Sequence, residues 1–169
     1  MKKASVLVLL VMFFSMGFVK QASAQWTDLV WETYAIGFKA PSDFTLKQND
    51  HQAFTANGEI FTMSIKPWND ASITEPLKIC QKALDITPGT NKTVIDEAAI
   101  SNLGGLEGYE GYCTAIQSGK LMHIVVGGYL DPVSSTNFTV QLLFWDNAAE
   151  NDTNYKAALY ILGSFHIIK

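Results

Sequence analysis

The sequence predicts an α+β fold in which an antiparallel β-sheet is flanked by helices. Three observations support this class: two tight-turn signals between apolar segments, three long segments with alternating apolar residues, and two amphipathic helical segments that interrupt them. The chain has neither an internal repeat nor a linker that would divide it. We therefore expect a single domain over residues 25–169, preceded by a separate N-terminal segment.

The first part of the domain predicts short strands. Apolar side chains alternate at Tyr34, Ile36 and Phe38, and a turn at 41–43 leads into a second short strand that contains Phe44. The next hairpin has a stronger signal. Asn57-Gly58 lies between segments 52–56 and 59–66, and both residues accept positive φ. A two-residue turn at this pair would place Phe54 opposite Phe61.

A helix is predicted after this hairpin. Ser72-Ile73-Thr74-Glu75 has the pattern of a capping box, and Thr87-Pro88-Gly89 ends the element. One stripe of the helix is apolar, so that Cys80 is expected to point into the core. The stripe consists of Ile73, Leu77, Cys80 and Leu84.

Three long strands follow, at Glu107–Gln117, Lys120–Leu130 and Asn137–Trp145. Ser118-Gly119 is a plausible tight turn between the first two. Pairing across it gives one apolar face, where Gly111, Cys113 and Ala115 lie opposite Val126, Ile124 and Met122. The other face is more polar and carries Glu110, Tyr112, Thr114 and His123, with Thr114 directly opposite His123.

The end of the chain predicts a second helix and a closing strand. The helix begins near Ala148 or Asp152 and ends at Leu162, with Gly163 as its C-terminal cap. Its buried face is expected to contain Tyr155, Ala158, Leu159 and Leu162. Residues 164–168 then form the last strand.

The N-terminus has the pattern of a secretory signal peptide. A basic start at Met1-Lys2-Lys3 precedes an apolar run at 6–19, and Ala22-Ser23-Ala24 suits a signal peptidase. The apolar run is too short to span a bilayer comfortably. We therefore predict a signal peptide at 1–24, an exported chain that is periplasmic or secreted, and no membrane span after cleavage.

The charge balance disfavours several classes of partner. Residues 25–169 contain nine lysines and 16 carboxylates, a net charge of −7, and the chain has no arginine. Arginine is the usual residue for bidentate recognition of phosphates and carboxylates. An acidic chain without it is not expected to bind nucleic acid, nucleotide phosphates or anionic lipid.

The two cysteines, Cys80 and Cys113, allow two interpretations. An oxidising compartment would permit a disulfide between them. The alternative is a pair of buried free thiols that behave as small apolar side chains. The sequence does not decide between the two, because pairing depends on geometry.

Three groups of residues are candidates for chemistry or binding. Glu110, Thr114 and His123 could perform acid–base work beside Tyr112, although such a strip is more typical of the polar face of a sheet. Asp146, Glu150 and Asp152 offer oxygen ligands that suit calcium, although helix capping explains the same residues. Trp68 and Trp145 could be exposed for glycan or protein binding, or could pack over sheet edges. No cofactor motif is present.

The chain resembles the PsbP/DcrB-like family in three places. These are Phe38-Lys39-Ala40-Pro41-Ser42-Asp43-Phe44, the glycine-rich segment Gly104-Gly105-Leu106-Glu107-Gly108-Tyr109, and the helix that runs into Ile161-Leu162-Gly163-Ser164-Phe165-His166. The resemblance implies an α/β/α sandwich in the same fold group as a Ran-binding nuclear-import factor, and often an envelope location. Family members are mostly binding or assembly factors, so no catalytic motif is carried over.

Together these observations predict an exported, non-enzymatic binding or assembly factor of the bacterial cell envelope. Its partner would be another envelope or secreted protein. Two alternatives stay open: a small hydrolase or ligand-processing enzyme centred on Glu110 and His123, and a glycan-binding module that uses exposed tryptophans.

Overall fold

The computed structural model describes residues 25–70, 72–134 and 137–169. The predicted signal peptide at 1–24 lies outside the described residues. The elements in chain order are β1 (Trp26–Trp31), a 3₁₀ turn (Glu32–Tyr34), β2 (Ile36–Pro41), β3 (Thr45–Asn49), β4 (Phe54–Asn57), β5 (Thr62–Trp68), α1 (Pro76–Ile86), β6 (Thr90–Ile100), β7 (Glu107–Gln117), β8 (Lys120–Leu130), β9 (Asn137–Trp145), α2 (Asn151–Leu162) and β10 (His166–Ile167).

Two antiparallel sheets organise the fold. The larger has the strand order β3-β4-β5-β9-β8-β7-β6, and the smaller has the order β1-β2-β10. Helix α1 packs on one face of the large sheet, against β7, β8 and β9, whereas α2 and the small sheet cover the opposite face. This arrangement confirms the predicted α+β class with an antiparallel sheet between helices. No helix in the described ranges has the length and apolar character needed to cross a membrane.

The three-strand meander has the predicted bounds and register. Thr114 pairs with His123, Cys113 with Ile124, and Gly111 with Val126. Alternation along these strands separates the face under α1 from the face under α2. The prediction succeeded because both faces of β8 are buried over most of its length, so that the apolar residues leave a clear pattern.

Burial divides into two apolar clusters on either side of the large sheet. The smaller lies under α1 and contains both cysteines. The larger joins the large sheet to α2 and the small sheet, and it is rich in aromatic rings. Phe138 on β9 stacks on Tyr129 with centroids 4.8 Å apart, while Phe38 on β2 stacks on Phe165 at 4.7 Å. These rings connect the two sheets.

The predicted hairpin at Asn57-Gly58 is wrong in its turn and register. Phe54 pairs with Ile65, and residues 58–61 form a longer loop that the Gly58 amide closes by donating to the Phe61 carbonyl at 2.8 Å. Phe61 is buried without belonging to a strand, and it packs edge-on against Phe144. The burial of Phe61 lengthens the connection, so the two-residue turn does not form.

The start of helix α1 differs from its prediction, whereas α1 ends before Thr87 and α2 ends at Leu162 with Gly163 as its C-cap, as expected. Helix α1 begins at Pro76 after Glu75, whose side chain makes no capping bond, and Ser72 instead bonds Asp70. Proline at the first helical position has no N–H and already has a helical φ, so it starts the helix without the capping box. In α1 the buried residues are Ile79, Cys80, Ala83 and Leu84. In α2 they are Asn154, Ala158, Ile161 and Leu162.

Strand β6 is absent from the sequence prediction. It spans Thr90–Ile100 and pairs only with β7 among the described strands, which makes it one edge of the large sheet. Most of its residues are exposed on both faces, so no apolar alternation marks it. The β-branched run Thr93-Val94-Ile95 is the signal that could have indicated it.

Candidate functional site

The predicted polar strip is present, and its histidine is buried. Glu110, Tyr112, Thr114 and His123 share the face of the large sheet that α2 partly covers. His123 is only 5% exposed and stacks on Phe144 with centroids 4.8 Å apart. Glu110 and His123 are therefore on one face, as expected, but they lie in different surroundings.

His123 forms a hydrogen-bonded chain with two groups, one of which the sequence did not connect to it. Its Nδ1 lies 2.5 Å from the Tyr112 hydroxyl, and its Nε2 lies 3.1 Å from Asp146 Oδ1. Asn151 also donates to Asp146 Oδ1, at 2.7 Å. These donors, His123 first, lower the pKa of the Asp146 carboxyl. An ionised Asp146 accepts a hydrogen bond from His123 Nε2, and in the matching neutral tautomer Nδ1 accepts a hydrogen bond from the Tyr112 hydroxyl.

This chain of bonds joins β7, β8 and the turn before α2. The Tyr112 ring is covered by Tyr155 of α2, with centroids 4.3 Å apart. Burial and hydrogen bonding occupy both nitrogens of His123, so a substrate would have to displace Tyr112 or Asp146 to reach it. Thr114 is half-buried opposite His123. The arrangement stabilises the part of the large sheet that lies beneath α2.

The three acidic residues that are candidate calcium ligands in the sequence have separate partners. Asp146 accepts from His123, Glu150 accepts from Asn147 at 3.0 Å, and Asp152 forms an ion pair with Lys156 at 2.7 Å. Within the described ranges, no group of three or more His, Cys, Asp or Glu residues is arranged to hold a metal ion. The residues instead organise the start of α2.

The two candidate tryptophans lie on one face of the large sheet but far apart. Trp145 is exposed at the end of β9, and Trp68, which is half-buried, pairs with Asn137 at the start of β9. The distance along β9 from Asn137, the partner of Trp68, to Trp145 is roughly 26 Å at 3.3 Å per residue. The two rings therefore do not form one continuous aromatic platform.

Cys80 and Cys113 are buried free thiols in the smaller apolar cluster. Cys80 Sγ donates to the Val126 carbonyl at 3.7 Å. Burial raises the pKa of the Cys80 thiol to about 12 and also raises that of Cys113. Both groups are therefore protonated at neutral pH, because burial outweighs even the opposing charge of Lys92 near Cys113.

Two open grooves meet at His166, next to the small sheet. One, of about 980 Å³, lies between the 3₁₀ turn, Gly104-Gly105 and β10, and the other, of about 540 Å³, lies between Lys39 and Tyr160. Neither contains a residue of the polar strip. The sequence did not indicate these grooves, because they depend on how the C-terminal strand joins β2.

The free edge of β6 is a further surface that the sequence did not indicate. Its bulge between Val94 and Asp96 presents Val94, 57% exposed, and Ile95, 54% exposed. From Asp96 to Ile100 the pairing with β7 is continuous, so the outer side of this stretch has regularly spaced backbone groups. Among the described residues, no strand pairs with that outer side.

An acidic pair lies beside this edge, in which Glu110 is half-buried and Asp96 is exposed. Asp96 and Glu110 are diagonal neighbours on the face toward α2, because Asp96 pairs with Tyr112 and Ala98 pairs with Glu110. Tyr155 donates its hydroxyl proton to Asp96 Oδ2 at 3.2 Å. Burial, and secondly the charge of Asp96, raise the pKa of Glu110 from 4.5 to about 6. The pair is thus a site of uncompensated negative charge.

The raised pKa of Glu110 predicts a pH-dependent effect of Glu110→Gln. Because the fold disfavours the ionised carboxylate, the stability linked to its proton is full below pH 4.5 and is lost as the pH rises through about 6. We expect Glu110→Gln to be more stable than the parent at pH 8, with a smaller difference at pH 5. Urea unfolding at both values measures this.

The control is Glu107→Gln, at the exposed start of the same strand. A stability difference for Glu110→Gln that is the same at pH 5 and pH 8 would contradict the assigned environment of Glu110.

The fold of the chain is similar to that of the Ran-binding protein Mog1p of Saccharomyces cerevisiae. The TM-score is 0.66 at 8% identity, over 87% of this chain and 97% of that chain. A point mutant of Mog1 gives a TM-score of 0.65 at 9% identity, over 86% and 97%. LpqN, a Mycobacterium tuberculosis protein involved in cell envelope biogenesis, gives 0.49 at 20% identity, over 86% and 91%. This last TM-score is too low to support a shared fold.

No family model matches the sequence, and no curated protein sequence matches it. The similarity to Mog1p confirms that the chain shares the fold of a Ran-binding protein, as the resemblance implied. At 8% identity it establishes the fold alone. Membership of the PsbP/DcrB-like family stays a prediction.

Proposed function

We propose that this protein is an exported, non-catalytic binding factor of the bacterial envelope that holds a protein partner on the free edge of β6. The observation that carries the proposal is an 11-residue edge strand with exposed apolar side chains, whose outer side pairs with no strand in the described ranges. An extended segment of another protein can add to such an edge through main-chain hydrogen bonds.

The two edges of the large sheet differ in a way that favours β6. The opposite edge, β3, has five residues and a register shift, and its last residue, Asn49, donates from its side chain to the Val30 carbonyl of β1 at 3.2 Å. This contact ties the end of β3 to the small sheet. By contrast, β6 is more than twice as long and, although it has two register shifts, it pairs with β7 alone among the described strands. A docking strand therefore has more room on β6.

Strand β6 has two features that commonly protect an edge strand, bulges and charged side chains. They leave part of its edge open to pairing. The bulge at Ile95 turns an apolar side chain outward, and the regular stretch 96–100 contains no proline. A partner strand could pair with this stretch while covering Val94 and Ile95.

The remaining parts of the proposal rest on the sequence and on the fold. Export is supported by the signal-peptide pattern at 1–24. A binding role agrees with the shared fold of Mog1p, whose name describes it as Ran-binding. The hydrolase alternative is less well supported, because both nitrogens of its candidate His123 already lie in hydrogen bonds.

Site-specific photo-crosslinking in the exporting cell tests the proposal. A benzoylphenylalanine at Ile95 should give a reproducible adduct with another envelope or secreted protein. The control position is Leu46 on β3, which has a similar exposed fraction, 52% against 54%. It should give no such adduct. Equal adducts from both positions, none from Ile95, or an adduct with a second copy of this chain would each overturn the proposal.

A further inference from the structure

We infer that the segment held by β6 is basic and places a lysine or arginine side chain between Asp96 and Glu110. This inference rests on the proposed function, because it names the chemistry of the partner at the same edge. It follows from the charges near β6, from the aromatic surroundings of the acidic pair and from the spacing of strands.

The charge along the outer half of β6 is negative. Asp96 and Glu97 are adjacent on the strand, and Glu110 lies on the neighbouring strand β7. Lys92 is the single lysine of β6, and its ammonium donates to the Leu84 and Asp85 carbonyls of α1, at 2.7 and 2.6 Å. It therefore caps the end of α1 and lies four residues from Asp96. A basic segment complements this edge.

The surroundings of the acidic pair suit a cation. Tyr155 lies against the pair, and its ring stacks on Tyr112. Aromatic rings beside carboxylates attract ammonium and guanidinium groups. The charge of the exposed Asp96 acts on the half-buried Glu110, and a cation placed between the two carboxylates would offset their repulsion.

The spacing between strands requires a long side chain on the docked segment. A strand added to β6 would lie about 4.8 Å from Asp96 and about 10 Å from Glu110, which is one strand further in. Side chains that alternate toward α2 would run over Asp96 toward Glu110. Lysine and arginine are the cationic residues with enough length and flexibility to approach both carboxylates.

A second copy of this chain does not offer that complement. Pairing of β6 with itself would bring the Asp96 and Glu97 carboxylates of both copies onto neighbouring strands. Like charges in such positions destabilise a sheet. The occupant is thus a different polypeptide, and the negative charge of this edge favours a basic one.

A dye-labelled short peptide that alternates lysine with threonine and valine, blocked at both ends, tests the inference. We expect it to bind the protein, and to bind the double variant Asp96→Asn, Glu110→Gln about tenfold or more weakly, the effect of about 1.4 kcal/mol. The control variant Asp28→Asn, which removes an exposed carboxylate from β1, should bind as the parent does. Added salt should weaken binding.

The inference would be overturned by no binding of the lysine peptide, by equal binding to the parent and the double variant, by equal binding of a peptide with glutamate at the lysine positions, or by equal weakening by Asp28→Asn. Circular dichroism of each variant checks that it is folded. The crosslink from Ile95 separates this inference from the proposed function. If Ile95 still captures a partner in cells and the double variant captures it equally well, the edge is the binding site but the basic segment is not required.

Discussion

Phe138→Ala is expected to destabilise the domain by about 3–5 kcal/mol, a large fraction of the stability of most domains. Phe138 is fully buried on β9. Its ring stacks on Tyr129, meets Trp31 edge-on at 6.4 Å and lies 5.8 Å from Phe165. Truncation would open a cavity where the large sheet, the small sheet and the segment after α2 meet. Urea unfolding followed by tryptophan fluorescence measures the change.

Phe138→Leu provides the matched control for this prediction. It keeps most of the side-chain volume, so we expect a cost of less than half that of Phe138→Ala. A cost below about 1 kcal/mol for the alanine variant would mean that the aromatic cluster does not connect the two sheets as described.

Gly128→Ala is expected to displace helix α1 from the sheet. A Cβ at Gly128 would lie 2.5 Å from the Pro76 carbonyl oxygen and 2.6 Å from the Cys80 amide nitrogen. Both are backbone atoms of α1, so no side chain can rotate away. We expect a loss of about 3 kcal/mol, the upper end of the usual range for overpacking, together with faster amide exchange in α1. Chemical denaturation and hydrogen exchange measure the two effects.

Gly37→Ala is the control for this second prediction. A Cβ there would approach the His166 ring, also at 2.5 Å, but that ring is exposed and can turn aside at the cost of its hydrogen bond with the Ser164 carbonyl. We expect a cost below about 1 kcal/mol. Equal costs for the two alanine variants would show that the backbone contact between α1 and β8 is not what makes Gly128 necessary.

The meander could be predicted in detail because sequence and burial agree there. Apolar residues alternate along β7 and β9, and a tight turn at Ser118-Gly119 fixes the register of β7 against β8. The hairpin at Asn57-Gly58 could not be predicted from its turn residues. There the burial of Phe61 against Phe144 decides the loop length, and that contact joins residues far apart in the chain.

The candidate site was predictable only in part. The pairing of Thr114 with His123 follows from local register, and the structure confirms it. The bond from His123 to Asp146 depends on where β9 ends, 23 residues away, so the sequence could not indicate it. The acidic pair depends on β6, an edge strand exposed on both faces. Strands of that kind leave no apolar periodicity to recognise.

The missed strand also explains why the sequence placed Glu110 and His123 together as one candidate site for chemistry. Without β6, Glu110 has no visible neighbour except the polar strip. With β6 in place, Glu110 lies beside Asp96, and His123 is enclosed by Tyr112, Asp146 and Phe144. Glu110 and His123 therefore lie in different surroundings. Glu110 lies near the open edge of the sheet, and His123 lies beneath α2.

Hydrogen exchange of the complex captured through Ile95 tests the central claim most directly, namely that a partner adds to the free edge of β6. We expect the amides in residues 90–100 that do not bond to β7 to exchange rapidly in the free protein and to become protected in the complex, while β3 at residues 45–49 is unchanged. Unchanged exchange in residues 90–100, with protection instead around the grooves at His166, would contradict it.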